Sequence, residues 1–307
     1  MSLVSKIKGK GPSGFGFGST AEDVTHGLDL SGRTILVTGI NSGIGFETMR
    51  VLALRGARVI AAARTEEKAS AATARVAGNT LPVACELSDP ASILACVEQL
   101  KAQGVRLEAV ICNAGIMALP RLEQAHGYEL QFFTNHVGHF ILVTHLLDQL
   151  TEDARVVVVS SRAHNSAPKD GIEFDNLSGL GGYSPARAYG QSKLANVLFA
   201  EELARRFEST ARTANAVHPG VIYTNLGRSM PGIARAGLAI ASPLFMKSVA
   251  QGAATQCYVA TRPGLTASGE YFADCNLARS STLSRDPDLA RRLWDESERI
   301  ALDVLPK

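Results

Sequence analysis

Seven short apolar runs, at 34–37, 58–62, 81–84, 107–112, 155–160, 214–218 and 270–273, alternate with stretches of helical periodicity along the 307 residues. Strands that take turns with helices fit a parallel sheet joined by right-handed crossovers. Val156-Val157-Val158-Val159 is apolar on both faces, as a strand covered from both sides must be. The expected fold is α/β: a single-domain Rossmann fold over residues 31–307, with a doubly wound seven-stranded parallel sheet and helices on both faces. Residues 1–30 are expected to be a flexible leader. Positions 9–18 are too glycine-rich for regular structure, and Thr20-Ala21-Glu22-Asp23 resembles the start of a short capped helix.

The first βα turn carries the first chemical signal. Strand 34–37 runs into Thr38-Gly39-Ile40-Asn41-Ser42-Gly43-Ile44-Gly45, and a helical pattern follows. Glycines at such a turn let the backbone close tightly on a pyrophosphate, which the amides of the helix N-terminus then hold. A glycine triplet alone is weak evidence, but the strand before it and the helix after it make it strong. The second strand ends in Ala63-Arg64 with no acid at the position that would bind a ribose 2′-hydroxyl. An arginine there suits a 2′-phosphate, so NADP(H) is the expected cofactor and NAD the alternative. Lys68 can assist, whereas Glu66 and Glu67 oppose.

The second signal is Tyr189-Gly190-Gln191-Ser192-Lys193. A phenol and an ammonium at i, i+4 share a helix face, so the cation is expected to lower a pKa that is ordinarily about 10. A tyrosine so placed can move a proton near neutral pH. By itself the pair is a common feature of helix surfaces.

Composition excludes several other classes. The chain is 46% hydrophobic and 20% charged with a net charge of +2, and its Lys and Arg form no basic stripe; nucleic acid is not an expected partner. Cys85, Cys96, Cys112, Cys257 and Cys275 are odd in number and widely spaced, which suits buried reduced thiols. The first 19 residues lack the apolar core of a secretory signal and the arginine and serine content of a transit peptide, and no apolar run has the length of a membrane span. The expected location is cytoplasmic. No metal site is expected, since nothing completes a ligand set around His136, His139 and His145. Ser161 lacks the glycine-flanked elbow of a hydrolase nucleophile. Two irregular stretches, 162–184 and 222–246, interrupt the alternation and are long enough to be functional; the second ends in the apolar run 236–246, which reads equally as a substrate lid, a membrane or partner contact, or a buried helix turn.

With Asn113-Ala114-Gly115, Asn135, Ser161 and the Tyr189/Lys193 pair added to the glycine turn, residues 31 to about 275 resemble the short-chain dehydrogenase/reductase family of the classical type. Asn135-His136-Val137-Gly138-His139-Phe140, Ser192-Lys193-Leu194-Ala195-Asn196, His218-Pro219-Gly220-Val221 and Tyr271-Phe272-Ala273-Asp274-Cys275 are similar to its retinol-dehydrogenase and WW-domain-oxidoreductase branch. The leader Ser19-Thr20-Ala21-Glu22-Asp23-Val24-Thr25 resembles bacterial and plant members, among them a chloroplast translocon-associated subunit.

The resemblance implies a catalytic set of Asn135, Ser161, Tyr189 and Lys193. Tyr189 would be the acid/base, Lys193 the phenolate stabiliser and a ribose ligand, Ser161 the partner of the substrate oxygen and Asn135 the holder of a water. Ser161 is preferred to Ser160 because the family serine is generally the second of such a pair. For the cofactor it implies Gly39, Asn41, Ser42, Gly43, Ile44 and Gly45 at the pyrophosphate, Arg64 at the 2′-phosphate, Glu86 and Leu87 at the adenine, and Asn113, Ala114 and Gly115 along the adenine and ribose side. Tyr189 and Lys193 would also contact the cofactor, and Pro219, Gly220, Val221 and Thr224 would face the nicotinamide. Glu86 departs from the family's usual aspartate.

The implied activity is interconversion of a lipophilic alcohol and its carbonyl, whether steroid, retinoid or bulky aromatic. The alternative is an NADP-binding redox sensor or scaffold with little turnover. Met117, Leu119, Ile233, Leu238, Ile240, Leu244, Phe245 and Met246 are the candidate apolar pocket residues. Helices beginning near Glu123 and Pro185 resemble those that build homodimers and homotetramers in the family, although their apolar faces can equally pack on the sheet.

Overall fold

A computed structural model describes residues 9–117, 119–222 and 246–306. In chain order its main elements are α1 (Ala21–Val24), β1 (Thr34–Thr38), α2 (Gly43–Leu54), β2 (Arg58–Ala63), α3 (Glu66–Thr73), β3 (Thr80–Ala84), α4 (Pro90–Ala102) and β4 (Leu107–Cys112). A small hairpin of β5 (Gln124–Ala125) and β6 (Tyr128–Glu129) precedes α5 (Gly138–His145), and β7 (Leu150–Val159), α6 (Pro185–Arg206) and β8 (Thr213–His218) follow. After residue 245 come α7 (Val249–Thr261), β9 (Tyr271–Ala273), β10 (Asn276–Leu277) and α8 (Pro287–Val304).

The sheet order is β10-β9-β8-β7-β4-β1-β2-β3. From β3 to β9 every pairing is parallel, which makes the seven strands expected. The eighth, β10, is antiparallel to β9; two residues are too short to leave a periodic trace in sequence. Strand β7 also begins five residues before the expected 155, because Leu150 pairs with Leu107 across an irregular step in register. The winding reverses between β1 and β4, and the crevice outside the strand ends at that point is where such sheets bind ligands.

Apolar side chains from alternate strand positions separate into two cores. Leu36, Ile60, Val110, Val156 and Val158 face one side, packed with α4, α5, α6 and α8. Ile35, Val37, Val59, Ile111 and Val157 face the other, with α2 and α7. This two-sided burial is why the central strands read as continuous apolar runs.

The leader is packed rather than flexible over its described part. Phe17, Ala21, Val24 and Leu30 are buried, and α1 opens with a capping box between Thr20 and Asp23. Phe15 stacks edge-on against Tyr258, their centroids 5.9 Å apart, and its carbonyl accepts from the Asn276 amide at 3.1 Å. Glycine frequency misled here because the glycines serve close approach: a Cβ at Gly11 would lie within 2.6 Å of the Asn276 side chain. The aromatic residues between them supply the burial. Stretch 162–184 is likewise docked, with Ile172 and Leu177 in the core and the Glu173 amide donating to Gln191 Oε1 at 2.9 Å. Thr224 and the run 236–245 lie outside the described residues, as do Ile233, Leu238, Ile240, Leu244 and Phe245.

Candidate active site

Three chain segments meet at the strand ends next to the switch point. From β4, Asn113 donates its amide and side chain to Thr38 (Nδ2 to the Thr38 carbonyl, 2.8 Å), which joins the ends of β1 and β4. Ala114 also donates to the Thr38 hydroxyl. Gly115 then passes beside the catalytic candidates: a Cβ there would come 3.0 Å from Asn135 Oδ1 and 3.4 Å from Lys193 Nζ.

Asn135 is fully buried in a π-helical turn, Phe133–Val137, that leads into α5. Such turns often mark functional sites because they re-aim one residue of a helix. Its side chain grips the Ile116 backbone twice, accepting from the amide at 2.8 Å and donating to the carbonyl at 2.9 Å. Nδ2 also donates to Ser192 Oγ at 3.0 Å, and the Ser192 hydroxyl donates to the Tyr189 carbonyl at 2.8 Å. The Asn135 carbonyl accepts from His139 Nδ1 at 3.0 Å, so Nδ1 carries the proton. His139 Nε2 is then the acceptor for the Thr38 hydroxyl 2.9 Å away, and burial holds this imidazole neutral by lowering its pKa to about 4.

The paired serines divide their roles. Ser160 is fully buried and its hydroxyl donates to the Lys193 carbonyl at 2.7 Å. Ser161 is partly exposed; its Oγ accepts from the Ala163 amide at 3.2 Å, and it is near enough to the Tyr189 phenol to favour its ionised form slightly. Tyr189 and Lys193 sit on α6, with Nζ 5.7 Å from the phenol ring centre. Lys193 Nζ donates to the Val159 carbonyl at 3.0 Å, and its burial pushes the ammonium pKa down to about 8. The expected lowering of the Tyr189 pKa is not present in the protein alone. Burial raises it, and the neighbouring Ser161 only partly opposes; the ammonium donates to the Val159 carbonyl.

At the pyrophosphate turn, Gly39 has φ +73° and Gly43 φ +59°, and a Cβ at Gly39 would lie 2.9 Å from Ala114. A Cβ at Gly45 would meet Asn113 Nδ2 at 2.5 Å, whereas nothing stands within 4 Å of one at Gly43. Ser42 is the N-cap of α2 but makes no side-chain bond to its first turn. The first amides of α2 therefore face an open approach at Gly43, which is the fit a phosphate requires. Asn41 is exposed and Ile44 half-buried at this rim. Arg64 follows β2, is 63% exposed, and has Nε 4.0 Å from the Glu86 carboxylate. Glu86 Oε1 also accepts from the Ser88 hydroxyl at 2.9 Å, and Leu87 is buried beside it. Pro219, Gly220 and Val221 leave the end of β8, and Val221 is half exposed.

Three other histidines around the site have separate partners. His136 Nε2 meets Ser297 Oγ at 2.8 Å, His145 Nδ1 the Ile141 carbonyl at 2.8 Å, and His164 lies between the Ser161 carbonyl and the Ser281 amide. Two groups near the site escaped sequence reasoning, Ser192 and the ion pair of buried Lys247 with half-buried Asp274. Ser192 lies inside the Tyr189 motif and spacing alone assigns it nothing. Lys247 is separated from its partner by 27 residues.

A family model described as short chain dehydrogenase matches residues 33–174. The short-chain dehydrogenase TIC 32 B, chloroplastic, of Brassica napus is 42% identical, with 100% of both chains covered. Retinol dehydrogenase 12 of Mus musculus is 41% identical over 89% of this chain and 87% of that one. Among solved structures, an uncharacterised protein from Mycobacterium paratuberculosis superposes with a TM-score of 0.77 at 33% identity, covering 94% of this chain and 100% of that one. The expectation of a cytoplasmic protein is overturned by the first of these, since the relatives matched from end to end are chloroplastic. With this glycine turn, this sheet order and these relatives, the chain belongs to the short-chain dehydrogenase/reductase family, in the branch of the retinol dehydrogenases, and is an NAD(P)-dependent alcohol oxidoreductase.

Proposed function

We propose that the protein is an NADP(H)-dependent oxidoreductase that interconverts a lipophilic alcohol and its carbonyl, with Tyr189 as the acid/base. The observation that carries this reading is the convergence at the end of β7 of Ser161, Tyr189 and Lys193, whose Nζ lies 5.7 Å from the Tyr189 ring centre and 3.4 Å from where a Cβ of Gly115 would stand. A nicotinamide supplies or accepts the hydride when bound. The chain's part is positional and protic. In reduction the Tyr189 phenol gives its Oη proton to the carbonyl oxygen and is left as phenolate; in oxidation the phenolate takes the alcohol proton and becomes the phenol. Ser161 Oγ donates to the same oxygen from a second side, a preorganised dipole where charge develops. Lys193 holds its ammonium at the Val159 carbonyl, near the phenol, and Asn135 braces the Ile116 backbone and Ser192.

The turn residues 39 and 41–45 would hold the pyrophosphate, Asn113 to Gly115 the ribose side, and Glu86 and Leu87 the adenine. Arg64 supports NADP(H): its loose, exposed contact with Glu86 is worth under about 1 kcal/mol, so a 2′-phosphate can replace it at little cost. Thr224 remains a candidate nicotinamide contact by resemblance. A lipophilic substrate is supported by exposed apolar side chains beside the site, Met117 at 46% and Val221 at 50%.

The test is nicotinamide absorbance with NADP+ and NAD+ offered separately against retinol, steroid alcohols and aromatic secondary alcohols, with the carbonyls in reverse. Turnover is expected with NADP(H) preferred, and Tyr189→Phe is expected to lower it by about 10²–10⁴-fold without loss of cofactor binding. A Tyr189→Phe enzyme with wild-type turnover refutes the assignment.

A further inference from the structure

Lys247 lies outside every motif discussed so far, yet its side chain is only 1% exposed. A buried ammonium needs a partner. Its Nζ is 2.7 Å from the Asp274 carboxylate and 5.3 Å from the centre of the Phe17 ring, within range of cation–π attraction. The same residue grips the turn after β8 in two ways. Its amide donates to the Val221 carbonyl at 2.9 Å, next to an isolated bridge between Lys247 and Ile222. Its aliphatic stem lies over Gly220, where φ is +98° and a Cβ would come 2.6 Å from Lys247 Cδ.

Asp274 is itself held in an uncommon conformation. Its φ is +52° and that of Cys275 is +63°, a pair of left-handed non-glycine residues that persists only where the surroundings impose it. The Cys275 amide donates to Thr255 Oγ1 at 3.2 Å. Asn276 Nδ2 donates to the Asp274 carbonyl at 2.7 Å and the Phe15 carbonyl at 3.1 Å, and the Ser13 amide donates to Asn276 Oδ1 at 2.9 Å. Contacts thus run without a gap from residues 13–17, through Asn276 and Asp274, to Lys247 and Gly220.

We infer that Lys247 and Asp274, braced by residues 13–17, form a latch that positions the Pro219-Gly220-Val221 turn and, through it, the nicotinamide end of the cofactor. This rests on the reading above that the turn faces the nicotinamide. Both are positioning residues. An apolar pair of similar volume would fill the space, but a charge pair adds direction, and here it fixes the Lys247 stem over Gly220.

The test is titration of the full chain with NADPH, and NADH in parallel, reading the dissociation constant and the emission lifetime of the bound nicotinamide for wild type, Lys247→Met, Asp274→Asn and the double variant. The dissociation constant is expected to stay within about three-fold of wild type, because the pyrophosphate and adenine contacts lie elsewhere. The lifetime is expected to shorten towards that of free cofactor in each single variant and no further in the double, as for two residues acting as one unit. Variants that melt earlier but keep the wild-type lifetime have lost only stability, and that result overturns the latch while leaving the cofactor site standing. If wild type binds neither cofactor, both readings fall. Should Lys247→Met not fold, Phe17→Leu keeps the ion pair and removes the ring: a shortened lifetime supports the latch and an unchanged one overturns it.

Discussion

Ser160 and Ser161 are adjacent, chemically identical and expected to fail in opposite ways when truncated. Ser160→Ala removes a buried hydroxyl that donates to the Lys193 carbonyl at 2.7 Å. The net loss for such a bond is about 1 kcal/mol, which for a chain of this size lowers Tm by about 1–2 °C. Turnover should change little, because Lys193 Nζ is held separately by Val159. Ser161→Ala removes a hydroxyl beside Tyr189 from a partly exposed position, where it accepts from the Ala163 amide at 3.2 Å, so Tm should shift by less than that of Ser160→Ala. Its turnover should fall by about 10²–10³-fold, the usual loss for one donor at a developing charge. The assay is thermal melting of both variants beside initial rates at saturating cofactor. If Ser160→Ala abolishes turnover with an unchanged Tm, while Ser161→Ala retains it, the division of roles is wrong.

Three further outcomes are expected. Gly190→Ala would favour a helix on propensity alone, but a Cβ there lies 2.7–2.8 Å from backbone atoms of Ser166 and Ala163. Overpacking against backbone should therefore lower stability by about 1–3 kcal/mol, read by urea denaturation; a stabilised variant would refute the contact. Lys193 loses its proton near pH 8 when folded but near about 10.4 when unfolded. Between these values the unfolded chain binds the extra proton, so this residue's contribution to stability rises with pH over that window. The Tm advantage of Lys193→Met over wild type should accordingly shrink from pH 8 to 10, and a constant difference contradicts it. Arg64→Leu should raise KM for NADP+ by about ten-fold, through loss of a charge-assisted contact worth about 1.5–3 kcal/mol less what solvent screens, and leave NAD+ kinetics unchanged; equal effects on both would remove the 2′-phosphate role.

Local chemistry made much of this protein legible in its residues. The alternation of apolar runs determined a parallel sheet, since strands buried on both faces cannot alternate in polarity. The Gly39 turn marked a tight strand-to-helix passage, because close contacts at Gly39 and Gly45 exclude side chains there. Tyr189 and Lys193 share a helix face by spacing alone. What tertiary structure decided depends on residues distant in sequence. Ser160 and Ser161 differ only in what lies opposite each hydroxyl. Lys193 Nζ donates to the Val159 carbonyl of another element. The glycine-rich leader is ordered by Tyr258 and Asn276, more than 230 positions away. Lys247 is buried against an aspartate on a separate strand end. Periodicity reports which face of an element is apolar, but not which partner comes to meet it; that is settled only when the sheet and its helices have packed.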